Sequence, residues 1–478
     1  MWTIKEVLQG SGGKGEGVSS RDVPKGRLRG FSIDSRTIRP DELFVALQGP
    51  RYDGHDFVND ALQKGGAGAI VSHAAFRRRG EAWRPLLKRH FFIRVDDPLE
   101  ALQSTACWHR SRFRIPLVGV TGSNGKTTTK EMIAAILMRR GPVLKNEGNL
   151  NNQIGLPLSL LRLEEGDRAA VLEMGISQKG EMSRLCEIAR PTLGLVTNIG
   201  PAHLAFLGDL EGVAREKGVL FQAVRSEGTA VINRDDPLLR PWERRLAKKW
   251  TFGLDASADL TASDLKVCAG GITFSLHVNR EGGGARGVTL STVGRHQVVN
   301  ALAAAAVASA LGLGLNDIGE GLERFRPPAK RGEVLNVKGI HILFDAYNAN
   351  PASVKAGLEM LVSYLPGGGV KRFRKVALLG DMLELGAFAE SAHLDIGRWA
   401  AETGVDRLIV VGEWAEKTAE GARQGGLPAD GISIHPDLES VKMFIRKEVQ
   451  AGDCLLIKGS RGMKMERLLT AFDRKGSG

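Results

Sequence analysis

The stretch Pro116–Met132 reads PLVGVTGSNGKTTTKEM. Apolar residues run into a glycine-bearing turn, then Lys-Thr-Thr, then a helix-forming segment, which is the order of parts in a phosphate cradle. Gly122 and Gly125 permit positive φ and bring backbone N–H groups close to phosphate oxygens, with Ser123 and Asn124 filling the turn between them. The helix that follows adds its positive end, so Thr128 in the first turn belongs to the same phosphate-facing set. Lys126 can reach outer phosphates, and the Thr127 hydroxyl can ligate Mg²⁺. A glycine-rich turn without a ligand explains the loop alone, but not strand, Lys-Thr-Thr and amphipathic helix together. The general pattern G-x-x-x-x-G-K-[ST] wants a first glycine where this chain has Val120, so the loop is a variant. No guanine-specificity sequence or arginine-finger motif accompanies it, which disfavours a switch or a motor.

Further along, Glu173 closes the apolar run AAVLE. A lone carboxylate at the end of a buried strand is costly unless paired or metal-bound, so Glu173 is a candidate Mg²⁺ ligand. His203, in NIGPAHL, and Lys217, in AREKGVL, are unremarkable by themselves: a single histidine, and a lysine that by default is a surface residue. In NEGNLNNQIG, the amides of Asn149 and Asn152 either position a substrate carboxylate or make local Asx turns.

These groups need a scaffold, and the alternation of patterns supplies one. From Ile115 onward short apolar runs (PLVGVTG, AAVLEMG, LGLVTNIG, GTAVINRDD) alternate with helical stretches, which argues for a mainly parallel, doubly wound α/β sheet. The paired prolines of ERFRPPAKRG mark a linker. A third block repeats the style in IHILFDAYNANPASVKAGLEML, RKVALLGDMLELG, DRLIVVGEW and DCLLIKGSRGMKMERLL, each a buried strand ending in a loop, where open α/β sheets place ligands. The first block holds short mixed elements, and GSGGKGEGVSSRDVPKG reads as a flexible loop. The boundaries expected are 1–112, 113–328 and 329–478. A chain of 478 residues exceeds what one core usually holds.

The net charge is +12, but basic residues are dispersed among acids, without an aromatic-rich basic groove. That disfavours nucleic acid and fits solvated faces or polyanionic substrates. Ala301–Leu315 is too short and alanine-rich for a membrane span and reads as a buried helix, so no membrane insertion is expected. The opening residues lack the apolar core of a leader, and the four scattered cysteines suit free thiols in a reducing cytoplasm.

In order, GVTGSNGKTTTKEM, NEGNLNNQIGLPLSLL, LEMG, NIGPAHL, EKGVLF, INRDDP and GRHQVVNALAAAAVA resemble the Mur ligase family over almost the whole chain. The resemblance implies bacterial, cytoplasmic, ATP-dependent amide ligases of peptidoglycan precursor synthesis. It also implies three domains: a small mixed α/β front domain for the UDP-sugar substrate, a central P-loop-type ATP domain, and a C-terminal Rossmann-like domain for the incoming amino acid. FSIDSRTIRPDELFVALQG resembles the front domain shared by the last two ligases of the pathway, while DAYNANPASVKAGLEML, LGDMLELG and KGSRGMKMERLL resemble the family member that adds D-alanyl-D-alanine to UDP-N-acetylmuramoyl-tripeptide through an acyl phosphate. The alternatives are the diamino-acid-adding member and a folylpolyglutamate-synthase-like ligase.

For the residues, the resemblance implies ATP on the phosphate loop, with Asn300 at adenine and Arg331 and Asp345 reaching the nucleotide. It implies two Mg²⁺ ions, held by Thr127, Glu173, His203 and Lys217, the last as its carbamate. Ser35, Arg36, Asp53, Gly54 and His55 would meet the uridine and pyrophosphate. Asn348, Asn350 and Ser353 would meet the dipeptide, with Lys458, Ser460 and Arg461 supplying charge. Where the family commonly has Asn after the His of GRHQ, this chain has Gln297. A monomer is expected.

Overall fold

A computed structural model of the chain describes residues 1–17, 27–201, 204–224, 226–268, 271–280, 282–328, 330–365 and 373–472. Its contacts gather into two units. One holds Met1–Gly119, Gly141–Ile176 and Gly180–Thr192; the other holds Val120–Arg140, Ser177–Lys179 and Leu193–Gly478.

In the first unit a five-stranded sheet runs in the order Lys14–Gly17, Phe91–Val95, Gly68–Ser72, Glu42–Val45, Gly30–Ser32. All its pairings are parallel except that of Lys14–Gly17, which lies antiparallel on the edge. This corrects the reading of the glycine-rich segment as a flexible loop. A Cβ at Gly13 would run into Ile93 and Val95, and one at Gly15 into Phe91, so these glycines serve close strand approach. Residues 18–26 of that segment lie outside the described residues. Phe44, Val58, Val71, Phe76, Trp83 and Phe92 form the core beneath this sheet. In the same unit Val143–Lys145 runs parallel to Ala169–Glu173. Every residue of the latter strand is buried, which is why its sequence is continuously apolar up to the terminal carboxylate.

In the second unit Leu193–Val196, Thr229–Asn233, Lys249–Phe252 and Leu260–Cys268 follow one another in parallel. Gly271–Val278 and Gly284–Leu290 extend that run antiparallel. The alanine-rich segment is the helix Arg295–Ala310, with Ala301 to Ala308 buried throughout. Small side chains let it lie close against the helix Lys126–Leu137 and the strands Leu193–Val196, Thr229–Asn233, Lys249–Phe252 and Leu260–Cys268. Among the described residues no helix is long and apolar enough to cross a membrane.

The C-terminal part of this unit has a sheet in the order Glu333–Val337, Ile340–Asp345, Cys454–Lys458, Lys375–Gly380, Arg407–Val411, Ile432–His435. All but the first strand are parallel to their neighbours. Successive side chains part to opposite faces, as the two-residue period requires. Leu343, Ala377, Leu379, Leu408, Val410 and Leu456 meet the helices Pro351–Ser363, Ala389–Glu402 and Ala415–Gln424 on one face. Ile342, Phe344, Leu378, Ile409 and Ile457 meet the helix Leu438–Glu448 and the Met465–Ala471 turns on the other. This is the doubly wound arrangement expected.

Candidate active site

The buried strand Leu117–Thr121 ends in the loop Gly122–Gly125, and the helix Lys126–Leu137 starts at once. Gly122 has φ 145 and Gly125 φ 80, values that side chains rarely adopt. A Cβ at Gly125 would also strike the Asn300 amide. The helix start has no side-chain cap, and a helix N-terminus following such a loop suits an anion. The Lys126 ammonium donates to the carbonyls of Gly122 at 2.9 Å and Ser123 at 3.1 Å. It therefore lies folded along the loop.

The loop is gripped by residues 197–200, a role the sequence did not suggest. Ser123 N–H donates to the Asn198 carbonyl at 2.9 Å. Its hydroxyl donates to the Gly200 carbonyl and accepts from Gly200 N–H, both at 2.9 Å. Asn124 N–H donates to Asn198 Oδ1 at 2.9 Å, and the Asn124 carbonyl accepts from Thr197 Oγ1 at 2.6 Å and Asn198 Nδ2 at 3.1 Å. The gripping segment is itself fixed. Asp236 accepts from Ile199 N–H at 2.6 Å, and Asn233 Nδ2 donates to the Thr197 carbonyl at 2.8 Å. Burial pushes the Asp236 carboxyl above its usual range, opposed by the backbone donors of Ile199, Leu238 and Leu239. The signal was present in TNIG and INRDDP, which carry the family resemblance but give no hint of this pairing.

Asn300 is 7% exposed. It accepts from Thr129 Oγ1 at 3.3 Å and donates to Gln297 Oε1 at 3.1 Å. The glutamine that replaces the common asparagine thus holds Asn300 against the loop. Arg331 stacks 3.7 Å from the Tyr347 ring centroid, and Arg461 lies 5.6 Å from the same centroid. Asp345 accepts from Lys458 Nζ at 2.6 Å. Lys458 is 1% exposed and donates also to the carbonyls of Asp345 and Asn348, at 3.4 and 3.2 Å. Ser460 Oγ donates to the Ala349 carbonyl at 3.3 Å and accepts from Leu383 N–H at 2.9 Å. Asn350 and Ser353 cap the helix Pro351–Ser363 reciprocally, and Asn350 Nδ2 also donates to Asn124 Oδ1 at 2.7 Å. Asn348 is exposed.

In the first unit Glu173 is 4% exposed. Its Oε1 accepts from Asn151 Nδ2 at 2.9 Å, and Asn146 bonds both its N–H and its carbonyl at 2.9 Å. Asn146 and Asn151 were not singled out from the sequence. Asn152 accepts from the N–H groups of Ile154 and Gly155, a local Asx turn, while Asn149 is exposed.

At the front, Asp53 Oδ1 accepts from His55 N–H at 3.0 Å and lies 2.6 Å from its Nδ1. His55 Nε2 accepts from Ser72 N–H at 3.0 Å, which puts the ring proton on Nδ1. Gly54 lies against the Leu47 backbone too closely for a Cβ. DGH is thus a built turn. Ser35 is buried, and Arg36 is exposed beside Asp34, whose carboxyl its hydrogen bonds draw down to about 2. His203 lies outside the described residues. Lys217 is 2% exposed on the helix Leu210–Ala223. Among the described residues no three His, Cys, Asp or Glu side chains gather as a metal site. Individually, the Glu173 carboxylate and Thr127 hydroxyl offer the hard oxygens that suit Mg²⁺.

A doubly wound α/β fold with a lysine-bearing loop at a helix start defines a nucleotide-phosphate-binding protein. Three family models match in sequence: "Mur ligase family, catalytic domain" at residues 27–109, "Mur ligase middle domain" at 120–308, and "Mur ligase, glutamate ligase domain" at 330–461. The chain belongs to the Mur ligase family. It is 34% identical over 443 residues to the UDP-N-acetylmuramoyl-tripeptide–D-alanyl-D-alanine ligase of Bacillus subtilis (strain 168), covering 92% of each chain. Against the Escherichia coli (strain K12) enzyme of the same name it is 35% identical over 467 residues, covering 95% of this chain and 98% of the other. Among solved structures it is similar to MurF from Acinetobacter baumannii, with TM-score 0.85, 30% identity and 98% of both chains covered.

Proposed function

We propose that the chain joins D-alanyl-D-alanine to UDP-N-acetylmuramoyl-tripeptide at the expense of ATP, releasing ADP and phosphate, in peptidoglycan precursor synthesis. The observation that carries this reading is the near-full-length likeness to ligases of that name, at 34% and 35% identity. The phosphate loop adds the chemistry, and a related MurF ligase from Thermotoga maritima, 29% identical, has been solved in complex with ADP.

A carboxylate resists attack by an amine until it is made electrophilic. Transfer of the ATP γ-phosphoryl group to the peptide carboxylate gives an acyl phosphate, which the dipeptide amine attacks with release of phosphate. Two anions must approach each other, so the site must supply positive charge where they meet. The Lys126 ammonium, bonded here to the Gly122 and Ser123 carbonyls, would supply that charge at the transferring phosphoryl group. The grip of residues 197–200 keeps the loop amides in place, so little reorganisation accompanies the transfer. Mg²⁺, for which the Thr127 hydroxyl and the Glu173 carboxylate each offer a hard oxygen, would offset the charge on the phosphate oxygens.

Burial makes an ammonium at Lys217 costly unless compensated. Carbamylation there would turn it into an anion with oxygen donors, and intact-protein mass spectrometry in bicarbonate would detect it. The link from Asn350 to the phosphate loop supports the view that the C-terminal block closes on the nucleotide and keeps water from the acyl phosphate. The protein would act in the cytoplasm as a monomer.

The test is phosphate release from ATP with candidate acceptors and amines, products read by mass spectrometry. Stimulation by D-alanyl-D-alanine with a UDP-tripeptide is expected, and the lysine and diaminopimelate forms of the acceptor distinguish its third residue. Stimulation by glutamate or a free diamino acid instead would overturn the assignment.

A further inference from the structure

We propose that Arg461 is the cation that receives the terminal carboxylate of the incoming dipeptide, an inference that rests on the ligase reading above and deepens it. Six residues at the C-terminal strand ends have suitable chemistry: Asn348, Asn350, Ser353, Lys458, Ser460 and Arg461. The fold commits four of them elsewhere. Lys458 directs its three N–H groups at Asp345 Oδ2 and the carbonyls of Asp345 and Asn348, and is 1% exposed. Ser460 bridges Ala349 and Leu383. Asn350 and Ser353 cap each other across the first turn of the helix Pro351–Ser363. Asn348 and Arg461 remain exposed, and Arg461 carries the charge.

Among the described residues the Arg461 guanidinium has an aromatic neighbour, Tyr347, at 5.6 Å, and no carboxylate partner. Ring contact steers the group without neutralising it. Its backbone is fixed too, since Arg461 follows the fully buried strand Cys454–Lys458 and opens a short 3₁₀ turn behind Ser460.

Arg331, the other guanidinium on Tyr347, belongs to the nucleotide side. The adjacent Gly332 lies beside Gln297 and Thr292, and Gln297 holds Asn300 beneath Gly125 of the phosphate loop. The Tyr347 ring thus has both guanidiniums as neighbours, Arg331 on the nucleotide side and Arg461 at the longer distance. A planar fork suits a carboxylate, which it can bind through two parallel N–H bonds.

The test compares D-alanyl-D-alanine with D-alanyl-D-alaninamide, which keeps the attacking amine and removes the terminal charge. Wild type, Arg461→Gln, Arg461→Lys and Arg331→Gln are assayed by phosphate release with ATP and UDP-tripeptide. Wild type should favour the carboxylate form at least tenfold in kcat/KM, mainly through the dipeptide KM. R461Q should bring that ratio close to one with the ATP KM unchanged, and R461K should fall between. R331Q should keep the ratio while raising the ATP KM. Retained discrimination in R461Q, or its loss in R331Q alone, would overturn the assignment and leave the ligase reading standing. Failure of wild type to respond to either dipeptide would sink both. Matching thermal melts separate a lost contact from a lost fold, because misfolding lowers both rates without changing their ratio.

Discussion

Asn350 Nδ2 donates to Asn124 Oδ1 at 2.7 Å, tying the cap of a C-terminal helix to the phosphate loop. Asn350 is also held by its capping exchange with Ser353, and Asn124 by Thr197 and Asn198. Each side of the contact is therefore rigid, and the bond transmits position. A neutral hydrogen bond contributes about 1 kcal/mol net, or roughly fivefold in an equilibrium constant. N124A and N350A should each weaken nucleotide binding by about that factor. In a double-mutant cycle read by calorimetry, N124A/N350A should be no weaker than the worse single variant. Additive losses would show that the two side chains act separately.

Gly125 combines a φ of 80 with the Asn300 amide lying where a Cβ would go. G125A should lose about 1–2 kcal/mol from the left-handed backbone alone, plus the cost of displacing Asn300. G125A/N300A should recover the displacement but not the backbone part. Urea unfolding beside nucleotide titration reads the two contributions, and full recovery would remove the backbone argument.

Lys458 and Asp345 form a pair in which the lysine is buried and the side chain of Asp345 is 25% exposed. Removing a buried partner leaves a charge uncompensated, but water reaches this aspartate, so K458M should cost about 2 kcal/mol and not the full buried-pair value. K458M/D345N should regain part of it. The Asp345 position should loosen as well, so K458M is expected to raise the ATP KM several-fold while the dipeptide KM moves less. An effect confined to the dipeptide would return Lys458 to the amine substrate.

Acid should destabilise the protein through two histidines before Asp34 titrates. Burial pushes His296 from 6.5 to about 4, with Asp345 opposing and Lys458 adding to the shift. His393 is pushed down chiefly by burial too; its Nδ1 bonds the Ala389 carbonyl at 2.7 Å and its Nε2 accepts from Met382 N–H at 2.9 Å, so protonation would break the latter. Both are neutral when folded, whereas the unfolded chain takes up protons below 6.5. The unfolded state then binds more protons, and stability must fall as pH drops from about 6.5 toward 4. Asp34, held at about 2, contributes its loss only below its ordinary 3.8. H296Q and H393Q should each flatten the upper window in chemical denaturation across pH and leave the lower one unchanged.

The phosphate loop was legible because its demands are local: two glycines for two positive φ values, a lysine for charge, and an apolar strand and helix on either side. The doubly wound sheets were legible for the same reason, since buried parallel strands are continuously apolar. The devices that hold the site were not. Thr197, Asn198 and Asp236 act on backbone 37 to 74 residues away, and Asn146 reaches Glu173 across 27. Such pairs leave no periodic trace. Gly13 and Gly15 misled because composition does not separate a glycine that frees the chain from one that admits a neighbour. Lys458, to which the resemblance gives a charge near the dipeptide, ends a strand whose residues are all buried, a burial that KGSRG alone does not announce.

Lys126 gives the sharpest test of the chemistry. Its ammonium lies on two loop carbonyls, and hydrogen bonds from a charged donor contribute about 1.5–3 kcal/mol, which in a chain of 478 residues moves a melt by only a few degrees. K126M should therefore melt within a few degrees of wild type. Stabilising charge in the transition state is a different matter: losing one such group costs about 10²–10³ in rate. Lys126→Arg keeps the charge but replaces a compact ammonium with a wide planar fork, so it should recover only part of the loss. With ¹⁸O in the peptide carboxylate, wild type should deliver label to the released phosphate as the acyl phosphate collapses. K126M should slow that transfer in step with turnover, since the same phosphoryl movement limits both. Turnover that falls while label transfer per turnover also disappears would mean that the residual reaction takes a different route.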